Sequence, residues 1–487
     1  MKNFPGISGR FSSVAMLVLP CLLFSIAASP RAAEPAAPGA DPLAALTDAY
    51  VRAVKPAEQV QGYRELFGTV FRRVQRGYAL EVDMPLLIGA AMKVIEPVKP
   101  ESGDAAVLFK SAINASLAML DPHSGYLDAR DQRSQRESIS GSFGGLGMEV
   151  EMHDGLVRIV APMDDTPAFR AGLKSGDLIV RFDKQQVLGM TLADAVSRMR
   201  GQAGAPVTLL IRRPGRADEF ILTLVRETIR TQAVRWRMEE DVLVLRLARF
   251  TGSVSADIEK AITAATVSRS PHAVILDMRA NPGGLLSQAV SAADIFLSQG
   301  EIVSIRGRTP GNQRSWKANA AEMLSGVPMV VMLDGGSASA AELVAAALQE
   351  NGRALVMGQR SYGKGSVQTV LPLGAEKGAL RLTTALYYGP SGRTVQRVGV
   401  GPDIELLPAS GTPVGRGGRR ESDRQHALAG ADAPTPPRAS VELARCPHPR
   451  EGSDLALSCA LAYIKAGGVD SFVAGLASSS SSGTADQ

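Results

Sequence analysis

The pattern of apolar and polar positions changes along the chain, and its clearest section covers residues 229–407. Short apolar runs there, at 273–278, 330–333 and 354–357, lack polar interruptions and are therefore typical of strands buried on both faces. An alanine-rich stretch between the second and third runs has apolar residues at helical spacing. Strands that alternate with helices in this way predict an α/β core.

Two other patterns precede this core. Residues 42–138 carry apolar residues in interrupted helical spacing, for example Leu46, Tyr50 and Val54, which predicts a helical N-terminal domain. Residues 141–228 consist of short strand-like runs separated by turn residues, which predicts a small β-rich domain. The expected fold class is a multidomain α/β protein with a strand-turn-helix unit in its core.

The ends of the chain and its linkers differ from the domains in composition. Pro is frequent in the first linker. Gly, Pro and Arg are frequent in the second linker, which predicts that this second linker is disordered. The predicted segments are a signal peptide over 1–33, a linker over 34–41, a disordered linker over 408–440, a C-terminal helical segment over 441–477 and a polar tail over 478–487.

Residues 1–33 have the order of features found in a secretory signal. Lys2 and Arg10 precede an apolar run over 14–28, which is shorter than the roughly 20 residues that cross a bilayer, and small residues follow. Cleavage is expected after Ala27 or Ala33, with an uncleaved membrane anchor as the alternative. The signal predicts export, and the periplasm is the expected compartment.

Charge and cysteine content narrow the choice of partners and compartment. Loss of residues 1–33 removes Lys2, Arg10 and Arg31 and no acid, which lowers the net charge from +5 to +2, so nothing indicates nucleic acid as a partner. Cys21 lies within the signal, and Cys446 and Cys459 remain. In an oxidising compartment these two would form a disulfide, and two free thiols are the alternative.

Ser339 and Lys364 occupy positions that suggest chemistry. Ser339 lies where the strand over 330–333 turns into the alanine-rich helix, and free N–H groups at a helix start favour developing negative charge. Lys364 lies between Gly363 and Gly365 in a loop after the next strand, which returns the chain to the same edge of the sheet. Desolvation can bring a lysine below its usual pKa of about 10.4, and such a lysine can take the proton of a serine nucleophile.

Other interpretations of these residues stay open at this point. A serine near a helix start is usually a cap, and a lysine in a glycine-rich loop is usually solvated. The segment from Gly358 to Lys364 matches most of a phosphate loop, but Gly365 stands where a Ser or Thr must reach magnesium. His123 would allow a Ser-His-Asp triad, although a His beside a proline in a turn is more often a hydrogen-bonded structural residue. The His and Cys residues lack metal-ligand spacing, so neither a metal nor a cofactor is expected.

Two motifs resemble those of a known family. They are SASAAE over 337–342 and GKGSVQ over 363–368, which are similar to the nucleophile and base motifs of the carboxyl-terminal processing proteases, also called tail-specific proteases. These are serine peptidases with a PDZ domain. The resemblance runs from about Gly62 to Leu406.

The resemblance implies a role for each matching residue. It makes Ser339, rather than Ser337, the nucleophile, Lys364 the general base and Gln368 the residue that orients the lysine. The end of the nucleophile helix usually carries an Asp in this family, and this chain has Glu350 there.

A second set of implied roles concerns the oxyanion hole. The turn with the sequence NPGG, which follows the strand over 273–278, resembles the family's oxyanion turn. One donor is then the N–H group of Gly284, with Gly283 as the alternative, and the other is the N–H group of Ala340.

The β-rich domain resembles a PDZ domain of the type found in these proteases. It has a GLG loop, the turn AGLKSGD and a following helix in the expected order, although Lys184 replaces a common glycine. The resemblance implies that the loop around Leu146, Gly147 and Met148 binds the carboxylate of a peptide that adds as a strand.

Together these features predict an exported serine endopeptidase that cleaves proteins near their C-termini with a Ser339/Lys364 dyad through an acyl-enzyme. The expected partners are proteins or peptides with free C-termini, and an activating adaptor and a homo-oligomer are left open. The alternative function is a catalytically silent PDZ scaffold that only binds C-termini.

Overall fold

The computed structural model describes most of the chain from residue 41 onward. The described residues are 41–56, 59–267, 269–319, 322–374, 377–408, 420–430, 433, 435–448 and 454–481. The predicted signal peptide over 1–33 and nearly all of the first linker lie outside them. The chain from Pro42 onward groups into one unit by its contacts.

The N-terminal part is helical, as predicted. Its helices are α1 (Pro42–Ala53), α2 (Val60–Gly77), α3 (Met84–Ile95) and α4 (Ala105–Ala118). Asp83 and Asp104 cap the last two, because their carboxylates accept hydrogen bonds from N–H groups of the first turn. Between the helices, Phe67 packs edge-to-face on both Tyr50 and Phe109.

One short strand and one helix follow, and they lead into a β-rich domain that begins at Ser142. The elements of this part are β1 (Gly125–Leu127), α5 (Ala129–Ser140), β2 (Ser142–Gly145), β3 (Met148–His153), β4 (Leu156–Pro162), α6 (Pro167–Arg170), β5 (Leu178–Phe182), β6 (Gln185–Gln186), α7 (Leu192–Met199), β7 (Pro206–Arg212), β8 (Phe220–Val225) and β9 (Glu227–Arg230). Strands β3, β4, β5, β7 and β8 form an antiparallel sheet in that order, with β6 on β5. Strands β2 and β9 pair with each other, so the chain enters and leaves this domain side by side.

The remaining elements build the α/β core. They are β10 (Val234–Glu239), β11 (Val242–Leu247), α8 (Val254–Thr266), β12 (Ala273–Asp277), α9 (Leu286–Asp294), β13 (Glu301–Arg306), β14 (Gln313–Lys317), β15 (Met329–Leu333), α10 (Ala340–Glu350), β16 (Leu355–Gly358), β17 (Ser366–Pro372), β18 (Ala379–Tyr388), β19 (Ile404–Leu407), β20 (Ala439–Glu442), α11 (Leu455–Ala466) and α12 (Val469–Ser481). The main sheet has the order β10-β11-β12-β15-β16-β19-β20 and is parallel from β11 to β20.

Both faces of the main sheet are covered, which explains its uninterrupted apolar strands. In β12, Val274 and Leu276 join the core on the side of α8, α9 and α10, whereas Ala273 and Ile275 join the core beneath α11 and α12. All four side chains are fully buried. The predicted fold class is therefore confirmed, and the two C-terminal helices complete the core.

A second sheet lies between the helical domain and the main sheet's helices. Strands β1, β18, β13 and β14 are neighbours in that order, and β17 also pairs with β18, all antiparallel. Leu380 and Leu382 of β18 belong to the same core as the N-terminal helices. This sheet matters for the site because β17 begins two residues after Lys364.

A disulfide joins Cys446 to Cys459. Of the two alternatives that the sequence left open, the structure therefore contains the disulfide and not two free thiols. The disulfide connects the segment that follows β20 to α11, which contains the buried Cys459.

No single described helix is long and apolar enough to cross a membrane. Helices α11 and α12, which meet at a bend of 113°, pass that test only together and only by length and composition.

The prediction of a disordered linker over 408–440 is wrong for two of its described parts. Residues 420–430 pack against the core and bury Glu421 completely, and strand β20 already begins at Ala439. The composition of this stretch resembles that of a linker, but the Glu421 carboxylate binds His123 and Gln396 of the folded core. Helix α12 likewise continues to Ser481, into the predicted polar tail.

Candidate active site

Ser339 lies at the turn between β15 and α10 in a strained backbone conformation. Its φ of 55° and ψ of −114° lie outside the regions that residues with a Cβ atom prefer. The Asp334 carboxylate stabilises the turn, because its Oδ1 atom accepts hydrogen bonds from Gly336 N at 2.9 Å and Ala280 N at 2.8 Å. Ala280 belongs to the glycine-rich turn after β12, so one carboxylate connects the two turns. A strained strand-to-helix turn of this kind presents a serine hydroxyl for nucleophilic attack.

Ser337, the other serine of the motif, has a structural environment. It is fully buried, and its hydroxyl donates to Met278 O and accepts from Asp334 N, each at 2.9 Å. Ser339 instead lines an open cavity of about 660 Å³. Of the two serines, Ser339 is therefore the one that a substrate can reach.

The glycine-rich turn packs directly against Ser339. A methyl group on Gly283 would lie 2.9 Å from Ser339 Cβ and 2.7 Å from Ala338 O, so only glycine fits there. The Gly283 N–H group donates to Asn281 Oδ1 at 2.9 Å. Within the described part of the chain, the N–H groups of Gly284 and Ala340 have no acceptor. Gly284 and Ala340 line the same cavity as Ser339.

Lys364 reaches the same cavity from the loop before β17. Its Nζ atom donates to Gln368 Oε1 at 2.5 Å and to Ser366 O at 3.3 Å. The Gln368 amide is fixed in turn, because its Nε2 atom donates to Ser366 Oγ at 2.9 Å and Thr383 Oγ1 at 3.2 Å. No hydrogen bond joins Lys364 to the Ser339 hydroxyl among the described residues. The structure thus places both groups in one cavity, with the lysine held by Gln368.

A buried carboxylate ties the serine turn to the lysine loop. Glu342 has no solvent exposure, and its Oε2 atom accepts hydrogen bonds from Ser339 N at 2.7 Å and Lys364 N at 2.8 Å. Its Oε1 atom accepts from Gly363 N at 2.6 Å and Ser361 Oγ at 2.5 Å. Burial raises the pKa of this carboxyl group, and the four donors oppose that effect. Glu342 therefore fixes the separation of the two backbones.

Tyr387 makes a second connection between the same two segments. Its hydroxyl lies 2.9 Å from Ser339 O and also contacts Lys364 O. The residue is almost fully buried, and burial raises the pKa of the phenol well above its usual value. The hydroxyl consequently remains a neutral donor at physiological pH.

His123 lines the same cavity but is engaged with Glu421, and no hydrogen bond joins it to Ser339 among the described residues. Its Nε2 atom lies 2.9 Å from both oxygens of the buried Glu421 carboxylate. Burial alone would raise the pKa of Glu421, but the hydrogen bond and charge of His123 lower it below its usual value. The described residues therefore do not form a hydrogen-bonded Ser-His-Asp triad, because the acidic partner of His123 is Glu421 and its ring makes no hydrogen bond to Ser339.

The same carboxylate influences Lys364. Burial lowers the pKa of the lysine to about 8, although the charges of Glu421 and Glu342 act in the opposite direction. At that pKa, a sizeable fraction of the amine is neutral near physiological pH, which a general base requires.

The loop of the β-rich domain offers backbone donors. Gly147 has a φ of 74°, a region that favours glycine, and within the described residues the N–H groups of Leu146 and Gly147 have no acceptor. The Leu146 side chain is 2% exposed and lies in the domain core, so it contributes only its backbone. Met148 is half-buried at the start of β3. These two N–H groups are donors of the type that bind a carboxylate in an anion-binding loop, and both residues are buried in this structure.

Sequence reasoning missed several residues of the site. The spacing Ser339-x-x-Glu342 is that of a capping box and could have singled out Glu342. Tyr387 and Glu421 had no such signal, because their roles depend on contacts between distant segments.

Glu350, at the end of α10, does not line the cavity. Its carboxylate accepts a hydrogen bond from Ser391 N at 2.8 Å and stabilises the turn after β18. Among the described residues, no group of three or more His, Cys, Asp or Glu could hold a metal ion.

Sequence comparison finds two known modules in the chain. A model of peptidase family S41 matches residues 241–406, and a model of the PDZ domain matches residues 158–213. The first match includes the Ser339 turn and the Lys364 loop, and the second includes most of the β-rich domain.

Relatives match over most of the chain. The carboxy-terminal-processing protease of Bartonella bacilliformis is 43% identical over 401 residues, which are 78% of this chain and 87% of that protein. The carboxy-terminal processing protease CtpA of Bacillus subtilis is 31% identical over 318 residues, 64% of this chain and 67% of that protein. A solved structure of a photosystem II D1 C-terminal processing protease is 28% identical and covers 71% of this chain and 92% of its own, with a TM-score of 0.44. The chain is therefore a serine-type peptidase with a PDZ domain and belongs to the carboxy-terminal-processing protease family of peptidase family S41.

Proposed function

We propose that the protein is an endopeptidase that cleaves proteins near their C-termini with a Ser339/Lys364 dyad through an acyl-enzyme. The observation that carries this proposal is the Glu342 carboxylate, which binds the N–H groups of both residues at 2.7 and 2.8 Å. Both side chains line one cavity, and the pKa of Lys364 is about 8. A nucleophile and a base with a suitable pKa are thus within one small region.

The proposed reaction begins when the neutral Lys364 amine takes the proton of the Ser339 hydroxyl and the serine oxygen attacks the peptide carbonyl. Because Nζ is bound to Gln368 in this state, the lysine side chain rotates toward Ser339 before the step. The N–H groups of Gly284 and Ala340 donate to the resulting oxyanion, and the loss of one such donor typically costs about 3 to 4 kcal/mol of barrier. The C–N bond then breaks as protonated Lys364 returns the proton to the leaving amine, and water hydrolyses the ester.

The PDZ domain is proposed to select substrates by their free C-termini. The unengaged N–H groups of Leu146 and Gly147 support binding of a terminal carboxylate, and a peptide would add as a strand beside β3. Such recognition depends on the chain end and requires no long sequence motif. An activating adaptor and a homo-oligomer stay predictions from the sequence.

The protein is further proposed to act outside the cytoplasm, in the periplasm. The order of basic, apolar and small residues over 1–33 supports export. The disulfide between Cys446 and Cys459 supports an oxidising compartment, because such bonds rarely persist in the cytosol.

Ser339→Ala should abolish cleavage of a substrate protein while its C-terminal peptide still binds. The substitution removes the attacking oxygen and leaves the PDZ loop unchanged. Mass spectrometry of the products and fluorescence anisotropy of a labelled C-terminal peptide provide the two readouts. Equal cleavage by both forms would refute the assignment of Ser339. Binding without cleavage by the wild type would instead identify a silent PDZ scaffold.

The value of kcat/KM should rise with pH through an apparent pKa of about 8, because only the neutral form of Lys364 accepts a proton. Glu421→Gln removes a negative charge that raises this pKa, so the profile should move to lower pH. Asp423→Asn, an exposed acid on the same segment, is the matched control and should leave the profile in place. A profile that Glu421→Gln does not move would contradict this electrostatic account.

Glu342→Gln should lower kcat by about 100-fold, because an amide NH₂ in place of Oε2 repels the N–H groups of Ser339 and Lys364 and displaces both. Glu322→Gln is the control. Glu322 is also largely buried, its carboxylate lies 2.7 Å from Arg353 Nε, and it does not line the cavity. Urea unfolding and peptide turnover are measured for both variants. If both lose comparable stability but only Glu342→Gln loses kcat, the positioning role holds; equal loss of kcat would rule it out.

A further inference from the structure

Arg381 is a cation without an anionic partner on the wall of the active cavity. It lies on β18, and its Nε atom donates to His123 O at 2.8 Å. A guanidinium group has five N–H donors. Within the described part of the chain, the two terminal nitrogens of Arg381 have no acceptor and the side chain forms no ion pair.

Arg381 is partly dehydrated at this position, although its terminal nitrogens keep contact with the solvent of the cavity. The residue is half-buried, and loss of hydration lowers the pKa of its guanidinium group, although Asp121 and Asp131 act in the opposite direction from a distance. A partly dehydrated charge is unfavourable unless hydrogen bonds replace its water. A ligand anion would supply the missing acceptors in a bidentate geometry that matches the guanidinium fork.

The charge of the cavity favours the same kind of ligand. Among the described residues that line it, Arg249, Lys364 and Arg381 are basic, and none is Asp or Glu. Arg249 is exposed and donates to Ser138 Oγ, whereas Arg381 is half-buried, so solvent screens the charge of Arg249 more strongly. Arg381 is therefore the cation in this wall that is best placed to receive an external carboxylate.

The side of the cavity on which Arg381 lies indicates which part of a substrate it would meet. In the proposed reaction, Lys364 gives its proton to the leaving amine, so the leaving peptide must pass close to Lys364. Arg381 is close enough for its charge to influence Lys364. Its strand β18 pairs with β17, which begins just after the lysine loop and holds Gln368 opposite Thr383. Arg381 thus shares the lysine side of the cavity.

We propose that Arg381 forms a subsite for a carboxylate on the leaving side of the scissile bond. This inference rests on the proposed peptidase function and adds a determinant of substrate choice inside the active cavity, separate from the PDZ domain. The carboxylate has two sources: the C-terminal carboxylate of a short leaving segment, or an Asp or Glu side chain within that segment.

The test compares peptides that share one scissile bond. One pair differs in its C-terminus, which is a free acid or an amide. A second pair is amidated in both members and carries Glu or Gln at a position after the scissile bond. Values of kcat/KM are measured for wild type, Arg381→Gln, Arg381→Lys and Arg249→Gln.

Wild type should prefer the acidic member of at least one pair, and Arg381→Gln should reduce that preference by about 10- to 100-fold. Arg381→Lys should restore part of it, and Arg249→Gln should change it much less than Arg381→Gln does, because Arg249 is exposed. The ratio of kcat/KM values within a pair is independent of the amount of folded enzyme. Because the PDZ domain is the same in wild type and variants, comparing this ratio between them cancels any contribution of the PDZ domain. Loss of preference in the first pair identifies the terminal carboxylate, and loss in the second identifies a side chain.

An unchanged ratio for both pairs in Arg381→Gln would overturn the subsite while leaving the peptidase function intact. An equal drop for all four peptides would also overturn it, since that result indicates a structural role for Arg381. If the wild type cleaves neither the peptides nor any substrate protein, that result would instead refute the proposed function itself.

Discussion

The arrangement of the site depends on the buried carboxylate of Glu342. Its two oxygens accept hydrogen bonds from three backbone N–H groups and one hydroxyl, and they join the Ser339 turn to the Lys364 loop. A carboxylate without solvent contact is stable only when hydrogen bonds replace its hydration. The two segments therefore need Glu342 as a common acceptor, and Glu342 needs both of them. This mutual dependence makes two segments far apart in sequence behave as one structural unit.

The electrostatics of Lys364 connect this unit to the rest of the fold. Burial lowers the lysine pKa, and the charge of Glu421 raises it, which leaves a value of about 8. Glu421 comes from a segment beyond β19 and lies against His123 of the N-terminal part, so three regions of the chain contribute to the properties of one amine. The tertiary structure thus sets the pKa of the proposed base, whereas the local turn between β15 and α10 positions the proposed nucleophile.

Much of the fold was accessible from local patterns. Buried strands such as 330–333, the helical spacing near Tyr50 and the short strands of the PDZ domain each reflect periodicity, which tertiary contacts then preserve. The Ser339 and Lys364 motifs were equally local. Glu421 was hidden, because a stretch rich in Gly, Pro and Arg has a linker's composition and its folding depends on partners elsewhere. Arg381 was hidden for the same reason: a strand position does not reveal that a side chain lacks an acceptor.

The proposed pairing of Ser339 and Lys364 as nucleophile and base can be tested by covalent labelling of the folded protein with a small phosphonate ester. Mass spectrometry then locates the adduct and measures its rate of formation at several pH values. We expect a single adduct on Ser339 whose rate of formation rises with a midpoint near pH 8 and falls sharply in Lys364→Ala. An adduct elsewhere, or a rate on Ser339 that is indifferent to Lys364, would contradict it.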